Sequence, residues 1–191
     1  MSGSSSFAPA HDTRPPQRAV HDMRARRAHR AAVARALLQD PPATVPGAAI
    51  GWSQLAELPA WCLWGDDARL RLVRVVGALF AAPGMRLWID GRRLAIARTL
   101  IGTTTLARVM ACPALPSRAP AVPPAGDLQR LFDGSGRAVL LGSLDQAWMR
   151  DVAGPLLPST DARGALCPAA IARPLVAQAL ALVAEIPGDA E

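Results

Sequence analysis

The chain of 191 residues contains no lysine, no tyrosine and no asparagine, and only three histidines and three cysteines. Each shortage removes a kind of chemistry. All 21 basic residues are arginine, and a guanidinium that stays protonated supplies neither a Schiff-base amine nor a general base. His11, His21 and His29 all lie near the N-terminus, without HExxH and without a carboxylate or cysteine at ligand spacing. A Ser-His-Asp or Cys-His arrangement would have to borrow one of them for the body of the protein. Cys62, Cys112 and Cys167 stand roughly fifty residues apart, which suits neither a disulfide framework nor a CxxC metal site and predicts buried thiols. No apolar run approaches the roughly 18 residues that cross a bilayer. The opening residues are polar, without the apolar core of a signal peptide. A cytoplasmic chain is expected, with no catalytic residue, no cofactor and no metal.

What the chain does contain is apolar surface and arginine. Hydrophobic residues make up 51% of it, enough for a sizeable core at this length. Ala, Leu, Arg, Gly and Pro abound, as in proteins of GC-rich bacterial genomes, so a pI near 11.0 says less about nucleic acid than it would elsewhere. The charge is unevenly placed. Residues 1–40 carry seven Arg against three Asp, whereas the remaining 151 carry 14 Arg against 12 acids.

Residues 1–16 mix Ser, Gly, Pro and His without periodicity and read as a disordered lead-in. Residues 17–40 are rich in Ala, Arg and Leu and read as a helix stopped by Asp40-Pro41-Pro42. A helical core is expected over 41–191. Ser53 offers a cap for a short helix ending at Pro59. Asp66 and Asp67 open a helix at its positive end, on which Leu70, Val73, Gly77 and Phe80 share one face, and Pro83-Gly84 closes it. Asp90 caps the next helix, Gly102 breaks it, and Thr103 to Thr105 cap another that runs to about Ala111. Residues 113–126 form a Pro-rich loop. A short helix near Asp127–Phe132 precedes a turn at Asp133-Gly-Ser-Gly136, and Ala138–Leu141 fits strand or helix equally. Asp145–Val152 reads as a helix with Trp148 on its apolar face. Ile171, Leu175, Ala179, Leu182 and Ile186 recur at steps of three and four, the clearest amphipathic pattern in the chain. Together these predict an all-α, irregular bundle of about six to seven helices.

Few motifs carry chemistry. Most carboxylates stand where helices should begin and read as caps, and Gly134-Ser-Gly136 lacks the spacing of a phosphate loop. Arg24, Arg26, Arg27 and Arg30 form the densest charge. They suit a solvated helix, an acidic protein face, a nucleic-acid backbone or an anionic membrane. Their segment has neither aromatic residues nor asparagine to read bases. Trp61, Trp64 and Trp88 suit either the core or a partner-facing patch.

The stretches Leu58-Pro59-Ala-Trp61, Leu70 to Phe80, Leu87-Trp-Ile-Asp-Gly91 and Leu100-Ile-Gly102 to Leu106 resemble one family. So do Asp133-Gly-Ser-Gly136 to Leu141 and Leu156-Leu157-Pro158. These residues, spanning roughly 50–160, resemble the type III secretion accessory proteins of the YscK/OrgA/MxiK (SctK-like) group, Hrp-type versions included. The resemblance implies a non-catalytic adaptor of the injectisome sorting platform. Such a protein lies between the inner-membrane ring and the pod that leads to the ATPase, at the cytoplasmic face of the membrane through its partners. Its Arg-rich N-terminal segment has no counterpart in that group. A basic nucleic-acid-binding regulatory protein is the alternative expectation.

Overall fold

A computed structural model describes residues 57–113, 125–159 and 165–185, together with the single positions Ala31 and Gln54, both helical. Helix, 3-10 turns included, accounts for 79% of these residues, and no strand occurs among them. The expected lead-in at 1–16, the Ser53 cap and most of the 113–126 loop lie outside the described residues, as does the Arg-rich helix apart from Ala31.

A 3-10 turn at Ala60–Leu63 leads into α1 (Asp66–Met85). The chain continues through α2 (Gly91–Ile101) and α3 (Thr103–Ala111). After a 3-10 turn at Ala125–Asp127 come α4 (Leu128–Gly142), α5 (Ala147–Ala153) and α6 (Ala169–Glu185). Six helices and no strand among the described residues make the protein all-α, as expected.

The centre of the bundle is α1. Its second half is buried on nearly every side, from Leu72 and Val73 through Ala78 to Met85, the signature of a helix with neighbours all round. It packs most extensively on α4 and also meets α6 and α3. Two glycines allow the α1–α4 crossing. A Cβ at Gly77 would stand 2.1 Å from the carbonyl oxygen of Phe132, and one at Gly136 would stand 2.0 Å from that of Val73. The two contacts are reciprocal: each glycine meets the residue one helical turn before its partner glycine. Backbone therefore lies on backbone, a separation that no residue with a side chain permits. Beside the crossing, Arg74 Nε donates to Asp133 Oδ1 at 3.2 Å, and both side chains are largely buried.

This crossing corrects the sequence reading of Asp133-Gly-Ser-Gly136. These residues are not a turn; they run through the middle of α4, and Ala138–Leu141 continues the same helix. Local preference favours a break there, since a helical glycine costs about 1 kcal/mol relative to alanine. Packing against α1 outweighs it. Pro83-Gly84 likewise does not end α1, which runs to Met85. Proline forfeits the ladder bond to the Leu79 carbonyl, and α1 continues only two residues beyond it, to the buried Gly84 and Met85. At the start of α3 the three threonines lie inside the helix, with Gly102 as N-cap at φ 84° and no side-chain cap. Asp90 does cap α2, accepting from the Arg92 N–H at 2.9 Å.

On α6 the residues Ala172, Leu175, Val176, Ala179 and Leu182 are buried, in keeping with the periodicity. Ile186 lies outside the described residues.

Candidate functional site

The residues singled out in the sequence do not converge on one place. Arg24, Arg26, Arg27 and Arg30 lie outside the described residues. Trp61 is 2% exposed, so its ring belongs to the core. Trp64 and Trp88 are half-buried and pack against the same core. The Trp88 indole nitrogen is buried without a hydrogen-bond partner.

The charged side chains are largely occupied in holding the fold. Arg69 donates to the Trp64 carbonyl at 2.5 Å and the Cys62 carbonyl at 3.3 Å, and pairs with Asp66. It thereby closes the 3-10 turn onto α1. Arg137, on α4, has no carboxylate partner among the described residues. One of its guanidinium nitrogens donates to the carbonyls of Gly154, Leu157 and Pro158 at 2.7, 3.1 and 3.2 Å. Burial lowers its pKa from the usual value. Arg86 reaches from the end of α1 to the Met110 carbonyl at 3.1 Å and to that of Cys112, placing a cation on the carbonyl end of α3. Asp145 pairs with Arg173 on α6, and Asp127 with Arg130. The reading of these acids as caps therefore holds for Asp90, while Asp133 and Asp145 act as ion-pair partners instead.

Cys62 and Cys167 are buried, and Cys112 is intermediate. Burial pushes the Cys62 thiol up to about 12, against the opposing pull of the Arg69 charge. Burial also raises Cys167. A thiol so disfavoured as thiolate is a poor nucleophile. Among the described residues, no group of three or more His, Cys, Asp or Glu is placed to hold a metal ion. No described helix is long and apolar enough to cross a membrane.

Two further surface features stand out among the described residues. A shallow groove of about 290 Å³ runs between the 3-10 turn and α6, lined by Pro59, Trp61, Leu144, Arg173, Val176 and Leu180. The second is the α1–α2 connection. There Leu87 is 78% exposed and Ile89 100% exposed, while Trp88 between them turns inward onto the core. Sequence reasoning marked Trp88 and passed over its two neighbours. The signal was present: an apolar triplet confined between the end of one helix and the cap of the next has no helical face on which to hide.

No protein-family model matches the chain. No curated protein and no solved structure is significantly similar to it.

Proposed function

We propose that this protein is a non-catalytic adaptor of a bacterial type III secretion sorting platform, linking the inner-membrane ring to the pod and ATPase complex. The observation that carries the reading is where the resembling segments fall. Leu58–Trp61, the α1 stretch, the α2–α3 stretch and the glycine-bearing part of α4 pack into one helical unit. Apart from the exposed Leu87–Gly91 step, of which only Trp88 packs inward, their apolar residues meet as neighbours in a core. In this reading the chain works in the cytoplasm, held at the inner membrane by its partners.

The test is affinity purification of the full chain from its native host, with identification of co-purifying proteins and of neighbouring genes. Ring and pod components of a secretion apparatus are expected in both. Recovery of neither, with metabolic genes alongside, overturns the reading. The nucleic-acid alternative rests on the charge surplus of residues 1–40. It requires salt-dependent retention on DNA that is lost when Arg24, Arg26, Arg27 and Arg30 become Ala.

A further inference from the structure

We infer that the α1–α2 connection is a membrane-contacting tip that seats the protein on an anionic lipid surface. Among the described residues only three large apolar side chains are exposed, and two of them, Leu87 and Ile89, stand one residue apart here. Leu166, the third, lies elsewhere and is 46% exposed. The backbone explains the pairing. Leu87 and Trp88 close the end of α1 through hydrogen bonds to the Gly84 and Met85 carbonyls, each at 3.0 Å. Residues 88–90 then leave helical geometry, so the three apolar side chains no longer share one helical face. Trp88 is directed onto the core, and Leu87 and Ile89 point away from it. The half-buried indole holds the tip from behind, so the two aliphatic side chains are presented on a fixed support.

The surroundings favour a lipid headgroup layer. Residues 86–93 carry Arg86, Arg92 and Arg93 against a single acid, Asp90. Arg93 is half-buried and pairs with Asp90 at 3.6 Å, its Nε turned inward. The Arg92 side chain is exposed, and only its backbone N–H is engaged, in the Asp90 cap. Two projecting aliphatic groups beside the exposed Arg92, and near Arg86, whose exposed guanidinium is held on the Met110 and Cys112 carbonyls, match the boundary between acyl chains and anionic headgroups. The projecting tip inserts into a fluid layer without a preformed pocket. The inference stands independently of the adaptor reading.

The experiment is vesicle co-sedimentation of the full chain with phosphatidylglycerol–phosphatidylcholine vesicles and with phosphatidylcholine alone. The parent is expected to sediment with the anionic vesicles only. Leu87→Ser/Ile89→Ser, which alters exposed groups, should keep its helical circular dichroism and lose roughly tenfold or more in partitioning. Arg92→Glu should weaken binding less, and in a salt-sensitive way. Failure of the parent to bind overturns the inference. So does undiminished binding by the folded double variant, which would assign the attraction to the Arg-rich N-terminal segment. Capture on an immobilised acidic polypeptide but not on vesicles would overturn it in favour of an acidic protein face.

Discussion

The helices α1 and α2 follow one another in the chain and share a vocabulary of Arg, Leu, Ile, Val and Ala, yet they serve different ends. Eleven of the twenty residues of α1 are buried, against two of the eleven in α2, Ala97 and Ile101. The first is central, fixed by backbone contact with α4 and flanked by the Arg74–Asp133 pair. The second lies on the outside and is started by one carboxylate. Stability is therefore concentrated around α1, and two of the three exposed large apolar side chains among the described residues lie where α1 hands over to α2. The connection between them exposes apolar groups that α1 itself would have buried.

The sharpest way to break that contrast is to separate α1 from α4. Gly136→Ala places a methyl group 2.0 Å from a main-chain oxygen, and the helices must move apart to admit it. Although helix preference alone would favour alanine, a net loss above about 4 kcal/mol is expected, measured by chemical denaturation. A variant as stable as the parent would show that the crossing is looser than described.

A second effect arises beside α1, at Cys62. In the unfolded chain this thiol ionises near its ordinary value of 9.0, and in the folded protein near 12. Between those values the folded state retains a proton that the unfolded state has released, so stability falls as pH rises. The contribution is complete below pH 9, and on the order of 4 kcal/mol disappears by pH 12. The chain has no lysine or tyrosine, which leaves Cys167, also raised by burial, and Arg137, lowered by it, as the other shifted groups bearing on alkaline stability. Denaturation midpoints measured under reducing conditions should decline across this window and decline much less in Cys62→Ala. An equal decline in that variant would locate the cause elsewhere.

The smallest change is expected at α2. Asp90→Ala removes the cap on the Arg92 N–H and should cost about 1 kcal/mol. Native-state hydrogen exchange should show the loss in α2 while the protection of α1 is kept. Equal loosening of both helices would mean that they unfold as one unit and would erase the distinction drawn here.

How far the sequence revealed this arrangement depended on whether local preference and packing agreed. On α6 they agree, and a simple period of apolar residues marked the helix and its buried face. At Asp90 they agree again, because a cap is a local device. At Gly134 and Gly136 they conflict: glycine, serine and aspartate signal a turn, and only the presence of α1 keeps the segment helical. Pro83 is a milder case of the same kind. The exposed tip was hidden for another reason. Leu87 and Ile89 belong to a composition that normally means core, and only the termination of α1 at Met85 and the inward direction of Trp88 bring them to the surface. Arg137 gave no sequence signal, since its three acceptors are main-chain carbonyls and carry no side-chain mark.

The reciprocal glycine contacts also bear on how substitutions will be tolerated as the sequence drifts. Aliphatic neighbours such as Val76 or Leu140 can exchange for residues of similar volume while the bundle adjusts around them. At positions 77 and 136 no substitute is small enough, because the opposing surface is main chain and has no rotamer to change. A saturation library should therefore leave invariant columns at 77 and 136, as at Gly142, where a Cβ would stand 2.1 Å from the Cys167 carbonyl oxygen, and the first two would record how near the helices stand.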